Sequence, residues 1–338
     1  MKSLWPAVAL VAALVCVGFV ATSLTAQSRS AAPGRGKTSR LPKTAWGDPD
    51  IGGLWSNATV TPIERPSELA GKETLSAEEA ADFEQKTIES RNHDRRDDAV
   101  VGRVNGAPET ADVARAYNEF WWDQGTKVVS TRRTSLVIDP PDGRIPALTS
   151  EGKERAAAVA GRRERPAEGP EDRTALERCI TRGLPLGMMP GPYNNNYRVV
   201  QSPGYVMILA ERVHDARIIP LDRPHVGPRI TQWLGDSRGR WDGDTLVVDT
   251  TNFAPSVEFR GSTSGLHVVE RFTRTDAETM QYQITMTDPT TWVKPWTLEM
   301  SLTSTEGPLY EYACHEGNYG MTGILSGARA IEKQSAKP

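Results

Sequence analysis

The chain has 338 residues with 40 basic and 43 acidic side chains, which gives a formal net charge of −3. This length suits one large domain or two ordinary ones, and a hydrophobic content of 38% is enough for a folded core, so wholesale disorder is excluded. The nearly balanced charge excludes a nucleic-acid-binding protein that works through a basic surface. Three cysteines exclude a disulfide-dense scaffold.

Residues 1–26 have the pattern of an export signal. Lys2 supplies a positive charge, residues 4–21 are apolar, and the small residue Ala26 precedes a cleavage point. We therefore expect a periplasmic or secreted protein. An uncleaved signal that anchors the chain in the membrane is the alternative, because 18 apolar residues nearly suffice to cross a bilayer. The polar stretch that follows predicts a flexible linker at 27–45 and a single β-rich domain at 46–338.

Two cysteines remain once the signal is removed, Cys179 and Cys314. In an oxidising compartment an even pair favours a disulfide. Two buried free thiols that pack as small hydrophobic side chains are the alternative.

Two helices are predicted from local signals. Ser76 and Glu79 form a capping box that begins a helix running to about Arg91. A weaker helix begins at Ser150. These helices belong to helical and loop insertions at 74–120 and 149–175.

The rest of the chain is strand-like. About ten short segments rich in β-branched and aromatic residues are joined by turns such as Asp242-Gly243, a dipeptide typical of hairpins. Short links favour antiparallel pairing. The expected fold class is therefore mainly β, an antiparallel barrel or sandwich with one or two peripheral helices. No repeat recurs at a fixed period, which disfavours a propeller or solenoid.

Alternation along one strand places a carboxylate among apolar side chains. Leu266, Val268 and Phe272 share a face with Glu270. If that face is internal, Glu270 needs a cation, a network of donors or a water-filled cavity, because burial of an unpaired carboxylate is costly.

A second strand, at 205–213, is apolar on both faces and ends in a polar cluster. Arg212, His214, Asp215 and Arg217 lie within six positions of one another. A histidine beside a carboxylate and an arginine can perform acid–base chemistry. A strand end that emerges into solvent is the alternative.

One loop is unusually rich in side-chain amides. Its residues are Tyr193, Asn194, Asn195, Asn196 and Tyr197. Three amides between two tyrosines suit a hydroxylated ligand or a polar rim over an apolar pocket. A structural loop whose asparagines cap their own backbone is the alternative.

The histidines do not predict a metal site. His315 lies in a third polar segment, which could be functional. A structural turn held through Cys314 is the alternative. His214, His225, His267 and His315 lack metal-ligand spacing, and no HExxH or CxxC motif occurs. No redox-cofactor motif or P-loop is present either. Gly235-Asp236-Ser237-Arg238-Gly239 contains Ser237 in a predicted turn but lacks the strand–Ser–helix context of a nucleophile elbow. We therefore expect neither a metal nor a cofactor.

Two resemblances add to these patterns. Gly53-Leu54-Trp55 resembles the G-x-W start of lipocalin-like barrels, which implies a lipocalin-like form of the β fold. Four other runs look like those of a widespread family of exported bacterial proteins of unassigned function: 132–144, 190–197, 233–241 and 309–319. That resemblance supports export and implies no activity or catalytic residue.

Three functions stay open. The first is an exported β-barrel-like protein that encloses a small, partly apolar molecule and transforms it by acid–base chemistry of the isomerase, lyase or hydrolase type. Its expected catalytic residues are Glu270, His214, Arg217 and His315, and its expected ligand-binding residues are Arg212 and 193–197. The second is a non-catalytic binding protein for such a molecule. The third is an envelope structural or interaction protein whose inward charges form salt bridges. The oligomeric state is open in all three.

Overall fold

The structure is a computed structural model that describes residues 41–92, 94, 118–255, 259–262 and 264–336. The predicted export signal at 1–26 lies outside these residues, as does most of the predicted linker. Within the described part of the chain, every helix is too short or too polar to cross a membrane.

The described residues form ten strands, which pair in one antiparallel sheet that curls into a nearly closed barrel. The strands are β1 (Gly53–Ser56), β2 (Val137–Asp139), β3 (Asn196–Ser202), β4 (Tyr205–Ala210), β5 (Ala216–Pro220), β6 (Asp236–Asp242), β7 (Thr245–Thr251), β8 (His267–Arg274), β9 (Thr279–Thr287) and β10 (Trp296–Ser304). Their order around the barrel is β5-β4-β3-β1-β10-β9-β8-β7-β6, and β2 pairs with β10. An isolated parallel bridge between Leu221 and Gly239 joins the two ends of the sheet. The expected mainly β, antiparallel fold class is confirmed, and the barrel is the form adopted.

Local turn chemistry explains how consecutive strands connect. The predicted hairpin dipeptide Asp242-Gly243 lies between β6 and β7, where Asp242 pairs with Thr245. Gly243 adopts a φ of +62°, a left-handed conformation that favours glycine in such a turn. β6 and β7 therefore form a tight hairpin.

Alternating burial fills the barrel with side chains. Every second residue of β9 is fully buried, namely Met280, Tyr282, Ile284 and Met286. The same period places Glu270 with Val268 and Phe272 on the buried face of β8, as predicted. A cavity of about 20 Å³ beside Arg217 has room for about one water molecule. The barrel interior is thus a packed core.

Three helices flank the barrel in the described residues: α1 (Ala77–Arg91), α2 (Ser150–Glu164) and α3 (Tyr319–Ser335). The predicted capping box begins α1, because the Ser76 hydroxyl accepts the Glu79 amide at 3.1 Å and the Glu79 carboxylate accepts the Ser76 amide at 2.9 Å. α2 begins at Ser150 as predicted. α1 and α2 confirm the two predicted helices.

The third helix, α3, exceeds the one or two helices that were expected. Its sequence includes Gly320, Gly323 and Gly327, and glycine lowers intrinsic helix propensity by about 1 kcal/mol per residue. The helix is held mainly at its buried residue Ala328 and through Arg329, which donates to the carbonyl oxygens of Ala167 and Glu168. Tertiary contacts therefore stabilise a helix that its glycine-containing sequence does not predict.

The predicted disulfide between Cys179 and Cys314 is present, with a Cα–Cα distance of 5.6 Å. It joins the segment between α2 and β3 to the segment between β10 and α3. Disulfides are typical of oxidising compartments, which agrees with the expected export.

Candidate functional site

Glu270 lies fully buried in the barrel, where it meets Arg217 and Tyr282. Arg217 donates from Nη2 to Oε1 at 2.9 Å and from Nη1 to Oε2, so guanidinium and carboxylate form a two-pronged pair. The Tyr282 hydroxyl donates to Oε1 at 2.8 Å. Because β5 and β8 are not neighbours in the sheet, the pair crosses the barrel interior.

The electrostatics of this interior cluster favour one protonation state. Burial opposes the positive charge of Arg217, but the attraction and hydrogen bonds of Glu270 outweigh it and raise the pKa of Arg217. Burial, followed by the negative charge of Glu270, raises the pKa of Tyr282 well above its ordinary value. Glu270 thus accepts three hydrogen bonds from two donors that keep their protons. An acid–base role for Glu270 and Arg217 stays a prediction.

His214 and His315, the two other predicted catalytic residues, lie outside this interior. Both side chains are exposed. His214 ends a short turn after β4 in which Val213 and His214 have φ values of +61° and +45°. Among the described residues, no hydrogen bond joins either histidine to Glu270 or Arg217.

Asp215, which follows His214, helps to hold the end of the barrel. Its carboxylate accepts the Thr181 hydroxyl at 2.8 Å and the backbone amide of Arg182 at 3.0 Å. Burial raises the pKa of Asp215, and these two hydrogen bonds oppose that shift. Asp215 thereby connects the turn after β4 to the segment that carries Arg182.

The predicted ligand loop divides into buried and open residues. Asn195 is buried, and its side chain bonds to both backbone groups of Gly191 and to the Asp123 carbonyl oxygen. Asn196 donates to Glu211 at 2.8 Å. The Tyr197 hydroxyl donates to the Gly187 carbonyl oxygen, and burial raises its pKa to about 12. These contacts shape the loop itself.

Tyr193 is the exposed residue of this loop, and Asn194 is half-buried beside an open cleft. Tyr193 is 38% exposed, and its ring contacts Trp122 edge-on at 6.2 Å between centroids. Asn194 adopts a left-handed φ of +54° and borders an open cleft. The two side chains are therefore accessible to a ligand.

We call this open space the barrel-end cleft, with a volume of about 450 Å³. Its walls are Leu176, Glu177, Cys179, Asn194, Glu311–Cys314 and Glu316–Asn318. Because the disulfide joins one wall to the other, the width of the cleft depends on a covalent bond. His315 lies within the 311–318 segment that forms part of the cleft wall, but it does not itself border the cleft.

Arg182 and Arg212 place two guanidinium groups side by side near this cleft. A Cβ atom on Gly191 would lie 2.9 Å from Nη1 of Arg182 and 3.1 Å from Nη1 of Arg212. The guanidinium carbon of Arg212 stands 4.3 Å from the centre of the Tyr193 ring, and its Nη2 donates to the Tyr193 carbonyl oxygen. Neither arginine forms an ion pair with a carboxylate of the described residues, and both Nε atoms are buried without a hydrogen-bond partner.

Tyr312 connects the arginine pair to the cleft. Burial, followed by repulsion from Arg212, lowers the pKa of Arg182 to about 10. Tyr312 lies close enough to Tyr193 and to both arginines to interact with them electrostatically. Burial and then Tyr193 raise the pKa of Tyr312. The Tyr312 hydroxyl can therefore act as a neutral donor beside the two cations.

Sequence reasoning did not single out Arg182 or Tyr312. They lie far apart in the chain, but Arg182 follows Cys179 by three positions and Tyr312 precedes Cys314 by two. The predicted disulfide was therefore the signal that could have brought them together.

A second polar cluster on the barrel wall was also missed. His225 bonds to Asp236 and to Asp249, each at 2.8 Å, and His267 bonds to the other oxygen of Asp249 at 2.7 Å. No group of three or more histidine, cysteine and acidic side chains in the described residues is arranged to hold a metal ion. Strand alternation could place His267 on the outer face, but only the pairing of β7 with β8 brings Asp249 beside it.

Comparison with known proteins adds no relative. No family model matches the chain, no curated protein is significantly similar in sequence, and no solved structure matches its fold. Functional inference consequently rests on the geometry above.

Proposed function

We propose that this protein binds a small organic molecule in the barrel-end cleft. The observation that carries the proposal is the cleft itself, an open space of about 450 Å³ bordered by the phenol of Tyr312 and the amide of Asn194. Small-molecule sites are concave, have volumes of roughly 300–1,000 Å³, and use a few polar groups to orient the ligand. The partner is accordingly a small molecule with some aromatic or apolar surface.

The packed barrel interior supports the cleft as the location. Large side chains fill the space around Glu270, and the carboxylate already accepts bonds from Arg217 and Tyr282. A ligand in the interior would have to displace a buried ion pair, whereas a ligand in the cleft displaces water. The cleft is therefore the better site.

Export through the predicted signal at 1–26 is part of the proposal. The Cys179–Cys314 disulfide supports it, because this bond joins the two walls of the cleft and persists in an oxidising compartment. The site would then be complete outside the cytoplasm.

A ligand screen that follows thermal unfolding tests the proposal. We expect some aromatic and hydroxylated compounds to raise the melting temperature in a saturable way. Tyr312→Ala and Asn194→Ala should each weaken the affinity about tenfold, since they remove a contact worth about 1.4 kcal/mol. Tyr310→Ala is the matched control, because Tyr310 is 71% exposed and does not border the cleft. Affinities unchanged in Tyr312→Ala, or no stabilising compound at all, would contradict the proposal.

A structural or interaction role is the second candidate. The sealed Arg217–Glu270 pair favours it, because inward charges that neutralise each other need no ligand. Conversion of the bound molecule stays a prediction, and nuclear magnetic resonance of an identified ligand incubated with the protein would reveal a product. Saturable binding at the cleft without a product would mean that the protein binds the molecule but does not convert it.

A further inference from the structure

We propose that the molecule bound in the barrel-end cleft is an organic anion whose carboxylate or phosphate group is held jointly by Arg182 and Arg212. This inference rests on the proposed function and adds the chemical class of the ligand. Arg212 lies against the Tyr193 ring, and both arginines are within electrostatic reach of Tyr312, which borders the cleft. The anionic end would therefore lie at the arginines and the organic part in the open cleft.

The first step of the argument is the unbalanced charge. Arg212 is 6% exposed, and its Nη1 and that of Arg182 both approach the position that a Cβ atom on Gly191 would occupy. Buried charges in proteins are normally paired, because an uncompensated charge in a low-dielectric environment is costly. Within the described residues the two neighbouring guanidinium groups have no carboxylate counterion, and a bound anion would supply one.

The second step is that the nearby carboxylates are engaged elsewhere. Glu211 accepts from Asn196, and Asp215 accepts from Thr181 and from the backbone amide of Arg182. Burial, with a smaller contribution from Glu211, raises the pKa of Asp123, which disfavours its negative charge. None of these carboxylates forms an ion pair with Arg182 or Arg212 within the described residues.

The third step is the orientation of the donors. The contact with the Tyr193 ring and the bond to its carbonyl oxygen hold the guanidinium plane of Arg212 in place. Arginine presents planar, paired N–H donors that match the oxygens of a carboxylate or phosphate. Gly191 has no side chain, which allows both guanidinium ends to lie close to its backbone. The hydroxyl groups of Tyr193 and Tyr312 offer additional donors.

Four probes separate the anionic group from the organic body: benzoate, phenyl phosphate, the neutral benzamide and inorganic phosphate. We expect the disulfide-bonded protein to bind benzoate or phenyl phosphate at least tenfold more tightly than benzamide, measured by calorimetry at low ionic strength. Higher salt should weaken the binding of the anions and leave the affinity for benzamide unchanged. The stronger of the two organic anions identifies the carboxylate or the phosphate.

Three variants assign the effect to the arginine pair. Arg182→Met should lower the affinity for the organic anion at least tenfold and leave the affinity for benzamide unchanged. Without ligand, the same variant should have a higher melting temperature, because the repulsion between the two arginines is lost. Gly191→Ala should also weaken anion binding, since its methyl group displaces the flexible ends of both arginines and leaves the fold intact. Arg198→Met is the control, because Arg198 is exposed on β3.

The outcomes distinguish this inference from the proposed function. Equal affinities for benzamide and benzoate, unaffected by Arg182→Met, would overturn the anion site and leave a neutral ligand in the cleft. Inorganic phosphate bound through Arg182 without binding of any aromatic probe would refute the organic ligand instead. Failure of all four probes to bind would overturn both.

Discussion

Arg217 and Glu270 are 53 positions apart in the chain, and they meet inside the barrel through two parallel hydrogen bonds between guanidinium and carboxylate. Removal of one partner of such a buried pair leaves an uncompensated charge and costs roughly 3–5 kcal/mol. We therefore expect Glu270→Gln to lower the free energy of unfolding by about this amount in urea denaturation.

The double variant Arg217→Met with Glu270→Gln tests the cause of that loss. It removes both charges, and the glutamine can still accept the Tyr282 hydroxyl. We expect it to be more stable than Glu270→Gln alone. If the double variant is as unstable as the single one, the unpaired charge of Arg217 is not responsible.

The disulfide is the second test, because it connects residues 135 positions apart. In the chain-entropy model, closing a loop of this size stabilises the folded state by about 5 kcal/mol. Cys179→Ser combined with Cys314→Ser should lower the melting temperature and weaken ligand binding, since one wall of the cleft is no longer tied to the other. A reducing agent should reproduce both effects in the native protein and change nothing in the double variant.

The pH dependence of stability should reflect Asp249 on the barrel wall. Burial would raise the pKa of Asp249, but hydrogen bonds from His267 and His225 outweigh it and lower the pKa below its ordinary value. A carboxyl group with a lowered pKa in the folded state stabilises the fold above its unfolded value and loses that contribution as the pH falls. The loss should therefore lie below about pH 4.

Asp249→Asn should consequently lower the melting temperature at neutral pH and flatten its decline in acid. Asp244→Asn provides the control, because Asp244 is exposed in the turn between β6 and β7. Parallel melting curves for the native and Asp249→Asn proteins from neutral to acidic pH would argue against this role.

Two glycines with nearly the same backbone conformation give the fourth test. Gly125 and Gly204 have φ values of +75° and +78°, but a Cβ atom on Gly125 would lie 2.6 Å from backbone atoms of Ala58 and Thr59, whereas Gly204 has open space. Gly204→Ala should cost about 1–2 kcal/mol from the left-handed conformation alone. Gly125→Ala should cost distinctly more in denaturant unfolding, because rigid backbone must also move. Equal losses of unfolding free energy would mean that the backbone at 58–59 moves aside without a measurable cost.

The elements that were predicted correctly have local causes. The capping box at Ser76 and Glu79 and the hairpin at Asp242-Gly243 involve residues within a few positions of each other, so their geometry follows from the covalent chain. Alternation in β8 placed Glu270 inside for the same reason, since the side chains of a strand point to opposite faces. The cysteine pair followed from parity and compartment.

The candidate site was predicted only in part. The segment 193–197 does border an open cleft, but sequence patterns could not tell the buried Asn195 from the accessible Asn194, because both belong to one run of identical side chains. The side chain of Asn195 donates to the carbonyl oxygen of Asp123, 72 positions away in the chain, as well as to that of Gly191. A short-range pattern carries no information about that contact.

Periodicity along the chain was enough to establish a mostly β protein, the inward direction of Glu270 and the cysteines available for a bond, since each depends on neighbours within a strand or on a simple count. The order of the strands around the barrel decided that Arg217 would neutralise Glu270. The packing of Arg182 and Arg212 against Gly191 decided that the two arginines would lie together, with no carboxylate counterion in the described part of the chain. These meetings join residues far apart in the chain, and which distant groups meet depends on how the whole core packs.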